Sequence, residues 1–95
     1  MDLSERLKKA REAGTRAAEA VPDTGTCCMD FVWLPRSVAR PTVASGLGLA
    51  SAFFLRSKGW EFSGGAGQAG KRTAFCEAAA KELQDLGARV VYIMD

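Results

Sequence analysis

Histidine is absent from this 95-residue chain, and cysteine is scarce, with Cys27, Cys28 and Cys76 making an odd set. Without histidine there is no conventional nucleophile–histidine–acid machinery. The three cysteines lack zinc-binding spacing, and an odd count argues against a disulfide framework. Cys76, beside Phe75 and Ala79, reads as a small buried hydrophobe. The adjacent Cys27 and Cys28 read as buried at the start of a strand, with redox reactivity the alternative. Long apolar runs are missing too, so nothing in the sequence is built to span a bilayer as a helix. The N-terminus is charged and amphipathic and lacks a signal-peptide core, which predicts a cytoplasmic setting. Excess charge of one sign is also absent: 13 Lys and Arg stand against 11 Asp and Glu, a formal net charge of +2. That balance gives no support to nucleic acid as a partner.

What is present is ordinary for a folded domain: 47% apolar and 25% charged residues. Residues 1–95 are expected to form one small α/β domain near the low end of size for a self-sufficient core. Asp2 or Ser4 is placed to cap a first helix within residues 1–22. Leu3, Leu7, Ala10, Ala17, Ala18 and Val21 give it a thin, alanine-rich stripe, and Gly14 weakens its middle. Such a helix is expected to pack lightly, on its own domain or on a partner. The run from Cys28 to Leu34 is apolar except for Asp30 and predicts a strand buried on both faces. Pro41 opens a second helix carrying Val43, Leu47, Leu49, Ala50, Phe53, Phe54 and Leu55. Gly59 closes it. A short strand (Trp60 to Phe62), a glycine-rich turn (Ser63 to Gly70), a helix through Leu83 and Leu86, and a last apolar strand from Arg89 to Met94 complete the chain. Strands alternating with helices predict right-handed crossovers and a parallel sheet. Asp30 reads as a strand-edge carboxylate with no role. Trp33 and Trp60 read as core.

The stretch from Gly59 to Glu77 is the most informative. A strand, a glycine-rich turn and a helix opening with Lys71 and Arg72 make the layout of an anion site. The glycines free backbone N–H groups to approach a ligand, and the helix dipole points at the same spot. The plainer alternative is a loop that needs glycine only to turn tightly. Gly65 to Arg72 also approaches a Walker sequence, but Arg72 stands where a Ser or Thr should hold magnesium. Ser63 and Thr73 read as turn and cap residues.

Arg36-Ser37 after the first strand, Leu49-Ala50 and Leu55, Gly59-Trp60, Ser63-Gly64-Gly65-Ala66, and then Ala74-Phe75 and Glu77 together resemble the SLOG superfamily. This Rossmann-like group includes the DNA-processing protein DprA, the cytokinin-activating LOG enzymes, and sensor domains for nucleotide-derived signals in antiviral defence. The resemblance covers residues 31–95. It departs at Pro35, where the family commonly has Gly. It departs again at Gln68-Ala69-Gly70, where many members carry an acid, and the LOG phosphate motif with its catalytic Glu is absent. The resemblance implies a trimmed Rossmann-like, three-layer fold: a three-stranded parallel sheet over residues 28–95, helices on both faces, and an added N-terminal helix.

Two functions follow as expectations. One is a non-catalytic module holding a nucleotide or ADP-ribose-type phosphate on the glycine turn. Its ligand-binding residues would be Arg36, Ser37, Ser63, Gly64, Gly65, Ala66, Gly67, Lys71 and Arg72, with no metal, cofactor or catalytic residue. Arg36 and the glycine turn would share one end of the parallel sheet. The alternative is a small phage-encoded interaction protein that inhibits a bacterial defence complex by protein–protein contact. Exposed sheet edges, above all Val90 to Met94, predict a homo-oligomer.

Overall fold

A computed structural model describes residues 2–22, 30–62 and 70–93. The first helix, α1, spans Leu3–Glu19, and its cap is Asp2, whose carboxylate accepts the Glu5 N–H at 2.9 Å. Its buried face is Leu7, Ala10, Gly14 and Ala18, a stripe at helical spacing made almost wholly of small residues. Far from packing lightly, this face lies directly on the helix α3 (Gly70–Glu82). A Cβ on Gly14 would sit 2.6 Å from the Phe75 ring of α3, so the glycine that weakens α1 locally is what lets the two helices close.

Strand β1 (Phe31–Pro35) is followed by a 3₁₀ turn (Arg36–Val38) and a short helix α2 (Pro41–Gly46). The expected second helix stops there. Gly48 takes φ +75, a left-handed conformation that ends helices. Residues Ala50–Phe54 then run as a strand, β2, which turns at Leu55-Arg56 into β3 (Ser57–Phe62). Leu55 adopts φ 57 to make this turn, a conformation usually left to Gly, Asn or Asp. After α3, a 3₁₀ turn (Gln84–Leu86) and Gly87 at φ 88 lead into β4 (Arg89–Val91).

The sheet is four-stranded, in the order β2-β3-β1-β4, and every neighbouring pair is antiparallel. The registers place Val32 opposite Phe62 and Val90, Leu34 opposite Trp60, and Ala52 opposite Gly59. This corrects the expectation of a three-stranded parallel, Rossmann-like sheet. The strands near Trp60 and Val32 are neighbours, but they run in opposite directions. The physical reason lies in residues 47–56. A helix through that stretch would have been the crossover between parallel strands, whereas a hairpin there reverses the chain once more. The result is two interleaved split β-α-β units: β1 and β2 run the same way on either side of β3, and β3 and β4 do so on either side of β1.

Layering is corrected as well. Val32, Leu34, Trp60, Phe62 and Val90 share one sheet face with the buried residues of α1, α2 and α3 in a single apolar cluster, so helices cover one face of the sheet, not both. Phe31 and Trp33 point to the opposite face and are still buried. Trp33 packs against Phe54 at 5.6 Å between ring centroids. Its ring crosses β3 at Gly59, where a Cβ would come within 2.5 Å of the indole and 2.2 Å of the Leu34 carbonyl oxygen.

Candidate functional site

Of the residues expected to form one phosphate site, Arg36 and Ser37 are set apart from Lys71 and Arg72 by the sheet's direction. Arg36 and Ser37 follow the end of β1, and Lys71 and Arg72 follow the end of β3. Because Pro35 faces Gly59 while Val32 faces Phe62, these two strand ends lie at opposite ends of the sheet. Four residue steps separate Val32 from Arg36, about 13 Å at roughly 3.3 Å each. Ser63, Gly64, Gly65, Ala66 and Gly67 lie outside the described residues, as do Cys27 and Cys28. Cys76 is buried on α3, as its sequence neighbours suggest.

The two cations at the start of α3 have identifiable partners. The Lys71 ammonium donates to the Ala18 carbonyl at 2.9 Å, and Arg72 Nε donates to the Asp30 carbonyl at 2.8 Å. Ala18 belongs to the last turn of α1, the negative end of that helix, which a cation stabilises. Among the described residues, backbone carbonyl oxygens are therefore what the two cations at the head of α3 meet. Arg36 is exposed, and its carbonyl accepts the Trp60 indole N–H at 3.2 Å, as does that of Ala39. Ser37 lines a shallow groove of ≈ 420 Å³ with Leu3, Arg6, Val38, Asp85 and Leu86. There the Arg6 guanidinium grips both oxygens of Asp85 and the Glu82 carbonyl. That hydrogen bond is the main reason the Asp85 carboxyl titrates below its ordinary range and Arg6 above its own.

Asp30 is the residue that sequence reading undervalued. It is 2% exposed. One carboxylate oxygen accepts the Thr73 hydroxyl and the other the Ile93 N–H, both at 2.8 Å. With Arg72 on its carbonyl, Asp30 ties together the start of β1, the first turn of α3 and the segment after β4. A lone acid inside an apolar run was the available signal, because such a group is buried only where donors meet it. Tyr92 adds a second tie: its hydroxyl donates to Glu77 at 2.8 Å, and that bond is the first cause of its raised pKa.

Of the exposed large apolar side chains, Phe53 (63%) and Leu55 (86%) lie on β2 and its turn, while Tyr92 and Ile93 follow β4. They flank the two edges of the sheet. The edges differ. β4 is three residues long and includes Arg89, whose guanidinium lies over the Phe54 ring at 5.7 Å. β2 is five residues long, Ala-Ser-Ala-Phe-Phe, with neither charge nor proline. Strand edges are ordinarily blunted by such residues, and an edge without them invites another strand. Among the described residues no group of three or more His, Cys, Asp or Glu side chains is placed to hold a metal, and no helix is long and apolar enough to cross a membrane. No family model, curated protein or solved structure matches the chain.

Proposed function

We propose that this chain is a non-catalytic interaction module that works by protein–protein contact through β2 and the turn that follows it. The observation that carries this reading is the uncharged edge of β2, which no other strand pairs among the described residues, with Phe53 63% exposed beside it. An edge strand carrying exposed apolar side chains is a surface on which another chain can add a strand. The nucleotide reading draws less support. Its two cations are engaged by backbone carbonyls, and Arg36 lies at the other end of the sheet from them.

A photo-cross-linking side chain at position 53, compared with one at the exposed Lys81 on α3, tests the reading in cells that make the protein. A protein adduct from position 53 and none from position 81 is expected. Alongside it, the melting temperature of the purified protein should not respond to nucleotides or ADP-ribose. A saturable rise in melting temperature that disappears in Gly65→Val would overturn the proposal in favour of the glycine turn. So would the absence of any adduct from position 53.

A further inference from the structure

Resting on the reading of β2 as the contact surface, we propose that its partner is β2 of a second copy of this chain. The two strands pair antiparallel about Ala52 and join two four-stranded sheets into one of eight. A two-fold interface needs a patch that complements itself, and this strand does so in one register. Reversed about Ala52, the sequence Ala-Ser-Ala-Phe-Phe sets Ala50 against the second copy's Phe54 and Ser51 against its Phe53. Ala52 meets its own counterpart at the axis. Each large ring thus lies beside a small residue, the alternation that lets facing side chains interdigitate. Sliding the register by two residues one way would set Phe53 against Phe53. Sliding it the other way would leave both phenylalanines beyond the paired region.

The ends of the ladder agree with this register. Left-handed backbone at Gly48 (φ +75) and Leu55 (φ 57) bends the chain away just outside residues 50–54, so the free edge is one straight segment centred on Ala52. No charge on β2 meets its own copy across the axis, and a net charge of +2 gives little long-range repulsion. Phe53, 63% exposed in the single chain, lies at this edge beside the second copy's Ser51. The β4 edge offers no equivalent: it has three residues, and Asp30 and Glu77 already hold the segment that follows it.

A charge exchange tests both partner and register. Ser51 and Phe53 are exposed, so Ser51→Glu/Phe53→Glu and Ser51→Lys/Phe53→Lys should each fold, as circular dichroism would verify. In sedimentation at high micromolar concentration the wild type is expected to be a dimer. Each variant should dissociate at least about tenfold more readily, because like charges then face one another across the axis. An equimolar mixture of the two should recover a heterodimer. A monomeric wild type would end the proposal. Variants that stay dimeric would remove β2 from the interface, and folded variants that fail to recombine would remove the Ala52 register. If a variant unfolds, the site cross-linked by position 53 in the purified wild-type sequence decides instead. An adduct on residues 50–55 of a second copy is expected. No adduct between copies of the purified protein, with an adduct to a different protein in cells, would refute self-pairing while leaving the contact reading intact.

Discussion

Replacing Gly14 with Ala sets two opposed effects against each other. In an isolated helix the change is favourable by about 1 kcal/mol, through lower backbone entropy in the unfolded chain. In this protein the new Cβ would stand 2.6 Å from one Phe75 ring carbon and 2.8 Å from two others. Ordinary carbon–carbon contact is about 3.5–4.0 Å, so the ring must retreat by roughly 1 Å. It has little room to do so. Phe75 is 1% exposed and stacks on Phe62 at 6.5 Å, while the Arg11 guanidinium covers Phe62 at 5.0 Å. Overpacking of this kind costs about 1–3 kcal/mol. The packing term therefore wins, leaving a net loss of about 1 kcal/mol and a melting temperature lower by roughly 4–8 °C for a domain of this size. Thermal and urea denaturation of wild type, Gly14→Ala, Phe75→Leu and the double variant measure it. Phe75→Leu makes room, so the double variant should be more stable than the sum of the single changes predicts. A Gly14→Ala protein more stable than wild type would refute the close packing of α1 on α3.

Two further predictions concern the polar ties. Asp30→Ala removes the carboxylate that accepts the Thr73 hydroxyl and the Ile93 N–H and should destabilise by about 1–3 kcal/mol, read as a lower urea midpoint. Asp30→Asn keeps an acceptor and should cost less, whereas a neutral Asp30→Ala would show the ties to be dispensable. Asp85 supplies the pH dependence. Its folded pKa is depressed by Arg6, so the folded state holds the carboxylate more readily than the unfolded chain does. The stabilisation is present above the ordinary aspartate range and is lost as pH falls through the depressed value. Stability of Asp85→Asn should accordingly vary less than that of wild type between about pH 2 and pH 5. The difference will be small, because the Asp85 side chain is 64% exposed.

Helical and strand periodicity located most of the elements. Leu7, Ala10 and Ala18 marked the inner face of α1, Phe75, Ala79 and Leu83 that of α3, and the apolar runs at Phe31 and Val90 became β1 and β4. What escaped was β2, and the sheet direction went with it. Leu49 to Leu55 carries apolar residues in a block broken only by Ser51, a pattern that fits a buried helix as well as a strand. The hairpin that settles the matter turns on Leu55 and Arg56, neither of which belongs to the usual turn vocabulary. The β2–β3 ladder that closes on either side of the turn, not the local preference of Leu55, sets its left-handed conformation. Once β2 was missed, alternating helices and strands implied a parallel sheet, and Arg36 and Lys71 were drawn to the same end of it. Lys71 and Arg72 at the head of α3 both donate to backbone carbonyls. The α1 terminus and the Asp30 carbonyl that meet them are distant in sequence and invisible to any local pattern.

Hydrogen exchange of the backbone amides, followed at low and high protein concentration, tests the claim that β2 is a contact strand completed by a second copy. The β2 amides that point away from β3 should exchange readily in the dilute protein and become protected as concentration rises, while those of β4 stay unchanged. Concentration-independent exchange in β2, or protection that appears at β4 instead, would contradict it.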